Sequence, residues 1–175
     1  MTPHRLVLLR HAKAEPAGLV VDHDRPLALI GRRQASAVGS GLAASGLAPD
    51  LVLCSSALRT RQTWDLARNG LHAAGVGTER TAVVVTDALY DADVRGLVAA
   101  VGDVHDEVAT VLVVGHEPTI SQAAAQLAGP GSDPAALVRV RVGVPTGSWT
   151  VLELAGAWTS LVPASARLVT LCTGT

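Results

Sequence analysis

The sequence predicts an α/β fold, a three-layer sandwich around a mainly parallel central sheet. Three observations carry this. Short runs rich in Val and Leu alternate with longer Ala- and Leu-rich stretches, the pattern of strands joined by crossover helices. The first four runs are continuously apolar, as strands covered on both faces are. The chain has 175 residues, enough for one domain with a real core. No repeat, linker or shift in composition divides it, so residues 1–175 are read as a single domain.

The elements follow in order. RLVLL (5–9) is the first strand, and a helix is expected from Gly31 to Ala44. LVLC (51–54) is the second strand, followed by a helix from Ala57 to about Asn69. AVVV (82–85) is the third, with a helix from Val94 to about Val104. TVLVV (110–114) leads into a helix over Thr119 to Leu127. GPGSDP (129–134) reads as a loop. SWTVLEL (148–154) and ARLVTL (166–171) are two more strands, joined by a turn near Ala155–Gly156.

Composition narrows the function. Hydrophobic residues are 49% of the chain, yet Phe is absent, so Leu, Val and Ala must build the core. The net charge of -1 gives no general attraction to nucleic acid or to a membrane surface. Thirteen Arg stand against one Lys, Lys13; an Ala-, Gly- and Arg-rich genome accounts for that skew, although Arg is also the side chain that grips phosphate through a fixed fork. Cys54 and Cys172 are far apart and suggest neither a disulfide framework nor a zinc site. The four-residue apolar run at the N-terminus is too short for a secretory segment, and no stretch approaches the ~20 residues of a membrane span. A soluble, cytoplasmic protein is expected.

LVLLRHAKAEP (6–16) runs from an apolar strand straight into Arg10 and His11. In open parallel sheets, ligands bind beyond the carboxyl ends of the strands. There the first strand delivers Arg10 and His11; the second delivers Ser55, Ser56 and, one turn into the helix, Arg59. The third leads to Asp87, Tyr90 and Asp91, and the fourth to Gly115, His116 and Glu117. Singly, a strand-end histidine or an early helical arginine has an ordinary structural reading. Together on one rim, two Arg and two His form a cationic pocket suited to a phosphoryl group, with an imidazole able to attack phosphorus in line.

The motifs extend this. LVLLRHAKA resembles the Arg-His-Gly signature of the histidine phosphatase superfamily. CSSALRTRQT (54–63) and VLVVGHEPTI (111–120) are similar to its second and third blocks. DRPLALIGRRQA (24–35) resembles the Arg-Pro-Leu block of the SixA-type phosphohistidine phosphatases. The resemblance implies a phosphoglycerate mutase-like fold and no cofactor or metal. It implies His11 as the nucleophile, with Arg10, Arg59 and His116 holding the phosphoryl oxygens. Arg25 would add a basic group and Ser55 would assist substrate binding. Ala12 departs from the family's Gly, and Ala28 from its Ser or Thr.

No block matches the family's acidic proton donor; Asp87 and Asp91 are the nearest candidates. A general acid accelerates alkoxide departure by ~10²–10⁴-fold, whereas the imidazole of phosphohistidine leaves with far less help. A phosphorylated protein is therefore the expected partner, and no insertion caps the pocket against it. Four alternatives stand beside this reading, and the third is set aside with Cys54 read as a buried strand cysteine. They are a small-molecule phosphomonoesterase, a non-catalytic phosphate-binding module, a cysteine phosphatase through Cys54, and a metal-dependent enzyme through Asp22, His23 and Asp24. In the third, only four residues separate Cys54 from Arg59, where such a loop needs five.

Overall fold

A computed structural model describes residues 3–18 and 20–174. The strands are β1 (His4–Arg10), β2 (Leu51–Ser55), β3 (Ala82–Thr86), β4 (Thr110–Gly115), β5 (Ser148–Leu154) and β6 (Arg167–Thr173). The helices are α1 (Leu29–Ala44), α2 (Leu58–Ala73), α3 (Val94–Gly102), α4 (Thr119–Leu127) and α5 (Pro134–Val142). One sheet runs β3-β2-β4-β1-β5-β6. The first four strands pair in parallel; β5 is antiparallel to β1, and β6 to β5. The expected three-layer α/β architecture is present.

Period-two alternation splits β1 between two cores. Val7 and Leu9 pack with Val38, Leu42, Trp64 and Leu71 of α1 and α2. Leu6 and Leu8 face Leu97, Ile120, Leu127 and Val140 of α3, α4 and α5. Both faces are apolar because both are covered, so no polar residue interrupts the run.

On the first face α1 and α2 approach very closely. A Cβ on Gly39 would sit 2.0 Å from the Ala67 carbonyl oxygen, and one on Gly70 would sit 2.4 Å from that of Ser36. Only glycine lets the two backbones touch there. At Gly31 the same reasoning applies, since a Cβ would meet the Lys13 carbonyl oxygen at 1.9 Å. The start of α1 is thereby pressed against the segment that follows His11.

Three expectations need correction. AVVV was expected to be covered on both faces, but β3 is the sheet's edge, with Val83, Val84 and Val85 42%, 47% and 49% exposed. Helix α5 arises after the 129–134 loop, where no element was expected; Pro134 opens it and the Asp133 side chain caps it by accepting from Ala136 N–H. β5 and β6 are joined by twelve residues with a 3₁₀ turn at Trp158–Ser160 instead of a tight turn at Ala155–Gly156.

Candidate active site

Register brings the first two strand ends together. Arg10 pairs with Gly115 in the β1–β4 ladder, and His11 N–H donates to the Gly115 carbonyl at 3.0 Å. His11 and His116 therefore leave adjacent strands side by side, with ring centroids 5.2 Å apart. Ser55 ends β2, fully buried, with its Oγ 2.7 Å from His116 Nε2. Arg59, in the first turn of α2, is 5% exposed and sets Nη2 3.3 Å from His116 Nδ1.

These contacts define both tautomers. His11 Nδ1 lies 2.7 Å from the Ala12 carbonyl oxygen, which can only accept, so Nδ1 carries the hydrogen and Nε2 keeps its lone pair. Arg59 can only donate, so His116 Nδ1 accepts from it and Nε2–H donates to Ser55. Burial lowers the pKa of His11 to about 4, against the hydrogen bond to Ala12, and the Arg59 and Arg10 charges lower it further. Burial likewise lowers His116 to about 3, with the neighbouring His11 and Arg59 adding to the effect. Both imidazoles are neutral near pH 7.

The arginines are fixed through the backbone. Arg10 Nη1 donates to the Val144 carbonyl at 2.8 Å, and Val144 N–H donates to Glu117 Oε1 at 2.6 Å. Glu117 also accepts from the Ser121 hydroxyl at the start of α4. It is thus a brace between that helix and the segment holding Arg10. Arg59 Nη1 donates to the Asp22 carbonyl at 2.7 Å, and Nη2 to Asp22 Oδ2 at 3.0 Å. The Nε–H groups of Arg10 and Arg59 are buried without a partner among the described residues. An unmatched buried donor costs roughly 1–3 kcal/mol, so this set of donors suits an oxyanion.

Arg25 reaches the same cluster, donating from Nε to Asp22 Oδ1 at 2.9 Å and from Nη1 to the Glu15 carbonyl at 2.9 Å. Asp87 is on the exposed rim, where its carboxylate accepts from Ser56 Oγ. Asp91 lines a pocket of about 200 Å³ beside His116, together with Tyr90, Leu89 and Pro118. Asp22, His23 and Asp24 form a short 3₁₀ turn and engage different partners. Asp22 turns to the arginines and His23 to Ser56 Oγ at 2.9 Å. Among the described residues no group of three His, Cys, Asp or Glu is placed to hold a metal ion. The Cys54 thiol is inside the sheet, its pKa pushed up to about 12 by burial, which removes the thiolate a cysteine phosphatase requires.

Several residues that hold this geometry had no role in the expected site. Thr63 Oγ1 accepts from Ala12 N–H at 3.0 Å and donates to the Arg59 carbonyl at 2.6 Å. Gln62 Oε1 accepts from Leu27 N–H at 2.8 Å. The Arg-Thr-x-Gln-Thr run thus ties α2 both to the residue after His11 and to the Arg25-Pro26-Leu27 segment. Its fixed spacing was the available signal. Asp22, named above only as a candidate metal ligand, and Tyr90, named only as a residue that the third strand leads to, are joined at 2.8 Å through the phenol.

The profile described as Histidine phosphatase superfamily (branch 1) matches residues 6–94. An uncharacterized protein of Mycobacterium tuberculosis (strain H37Rv) is 42% identical over 162 residues, covering 92% of this chain and 96% of that one. A solved structure from Nakamurella multipartitia, provisionally assigned as the phosphohistidine phosphatase SixA, aligns with a TM-score of 0.80 at 38% identity. That alignment covers 98% of this chain and 96% of the other. A mycobacterial glucosyl-3-phosphoglycerate phosphatase aligns with a TM-score of 0.61 at 20% identity, covering 94% and 96% of the two chains, a likeness of fold alone. By sequence and by fold, with the Arg-His strand end at its centre, the chain belongs to the histidine phosphatase superfamily.

Proposed function

We propose that the protein is a metal-independent phosphatase whose His11 accepts the phosphoryl group, and that its substrate is phosphohistidine in a protein. The observation that carries this reading is the His11 tautomer: the hydrogen on Nδ1 is held by the Ala12 carbonyl, leaving Nε2 unprotonated beside the arginines. Its lone pair forms the N–P bond as the bond to the leaving group breaks with its electron pair. Arg10 and Arg59 supply donors to the oxygens on which charge accumulates, and His116 joins them by exchanging its Nε2–H contact with Ser55 for a phosphoryl oxygen. Arg25 and Ser55 assist, the first through the Asp22 cluster and the second by orienting His116. Water then attacks phosphorus, its proton passes to solvent, and His11 is released with inorganic phosphate.

Phosphohistidine is favoured because Asp87, one of the two candidate acids, is tied to Ser56 at the exposed rim; the other, Asp91, lines the pocket beside His116 together with Glu117. The provisionally assigned SixA neighbour at 38% identity supports the same substrate class. The pocket beside His116 favours a second reading, a small phosphomonoester whose leaving group Asp91 would protonate.

One set of measurements tests both. Brief reaction with labelled substrate should leave an acid-labile, alkali-stable adduct that His11→Asn abolishes. Label surviving in that variant would place the nucleophile elsewhere, and no label or turnover on any substrate would leave a phosphate-binding module. The kcat on a phosphohistidine protein should exceed that on an unactivated alkyl phosphate by more than ~10²-fold. Equal rates that collapse together in a D87N/D91N double variant would establish the small-molecule reading instead.

A further inference from the structure

The Asp22 carboxylate sits on the donors that a phosphoryl group would use. Oδ1 accepts from Arg25 Nε at 2.9 Å and faces Arg25 Nη2 at 2.7 Å. Oδ2 accepts from Arg59 Nη2 at 3.0 Å and from the Tyr90 hydroxyl at 2.8 Å. One carboxylate thus takes four donors from three side chains, including a guanidinium fork, as an oxyanion does. The Tyr90 hydroxyl and the two arginines hold its pKa down to about 2, so it is an anion at every working pH. It is nevertheless 53% exposed, so water can take the place of these donors when the carboxylate turns outward.

We infer that Asp22 is a tethered anion that competes with the phosphoryl group, and with the phosphate product, for Arg59 and Arg25. The inference rests on the phosphatase reading above. A tethered group acts at an effective concentration of order mM, so it weakens any anion that needs the same donors. A phosphoryl dianion offers more charge and more acceptor sites than a single carboxylate, so it can displace Asp22. Once the phosphoryl group has left as inorganic phosphate, the returning carboxylate opposes its retention. Asp22 is thereby a positioning residue: it keeps Arg59 extended between turnovers and limits product inhibition.

The test is calorimetric titration with inorganic phosphate, alongside kinetics on an aryl phosphate. Asp22→Asn should bind phosphate at least tenfold more tightly, with lower KM and a kcat that is unchanged or reduced by slow release. A residue needed only to order the loop would instead give weaker or unchanged phosphate binding, and that result overturns the inference. If the variant is poorly folded, hydrogen exchange of the native protein decides. Saturating phosphate should increase exchange at residues 21–24 as Asp22 lets go, and protection there would mean that the turn closes on the ion. Failure of the native protein and the variant alike to bind phosphate would overturn the phosphatase reading as well, whereas binding without tightening overturns this inference alone.

Discussion

A neutral imidazole in a ring of guanidinium groups is sensitive to acid, and His11 and His116 make this measurable. Their folded pKa values, about 4 and about 3, lie below the 6.5 of an unfolded histidine. The unfolded chain therefore takes up protons first as pH falls. The stability this contributes is present above pH 6.5 and is lost progressively as pH falls toward about 4 for His11 and about 3 for His116. Between pH 7 and pH 4.5 the loss should be on the order of 2 kcal/mol per imidazole. Thermal melts of native protein and His11→Asn should show it, the variant losing less over that interval; equal losses would mean that His11 is not held neutral. At this scale Arg10, His11, Arg59 and His116, singled out as motif positions, lie together in the structure. The contacts of Asp22 with Arg25, Arg59 and Tyr90 were not legible, because they are hydrogen bonds across loops whose path no local pattern describes.

Elements show where pattern reading succeeds and where it stops. Helix α4 was expected over about Thr119 to Leu127, after the fourth strand, and occupies Thr119–Leu127 with five of its nine residues buried. Helix α5 went unseen because PAALVRVRV alternates apolar and basic residues like a strand. Ala136 and Val140, four apart, are buried in the core with Leu137 partly buried beside them, while Val138 and Val142 are 64% and 88% exposed. β3 misled in the opposite sense, since an edge strand can be as apolar as a central one. The α1–α2 crossing gives a test at this scale. Gly39→Ala should destabilise by about 1–3 kcal/mol, because overpacking against the Ala67 carbonyl exceeds the gain in helix propensity. Gly96→Ala in α3, where the nearest atom to a new Cβ is 3.5 Å away, should be neutral or stabilising by up to ~1 kcal/mol. Denaturant melts of the two variants check the contrast; equal effects would mean that the helices can separate freely.

Across the whole molecule, the site is assembled by topology. The parallel block aligns the ends of β1, β2 and β4, so Arg10, Arg59 and His116 arrive from three places in the chain without any local motif containing all three. Strand–helix alternation made that convergence legible before any distance was known. The antiparallel pair β5–β6 widens the sheet on the other side of β1 and brings Val144 and Gly147 under Arg10 and His11. If Arg10, Arg59 and Arg25 supply the positive charge, as proposed above, chelator-treated protein should keep its phosphatase rate; loss with EDTA and recovery with a divalent ion would contradict that.

The tryptophans divide between the two sides of the sheet. Trp64 and Trp149 lie in the layer under α1 and α2, whereas Trp158 is fully buried in the opposite one. With no Phe and a single Tyr, near-ultraviolet emission belongs almost wholly to these three indoles. The molecule therefore carries its own optical reporters of cooperativity. Emission from Trp158 alone follows one layer and emission from the other two follows its counterpart, so coincident or separated transitions would tell whether the sheet binds both halves into a single folding unit.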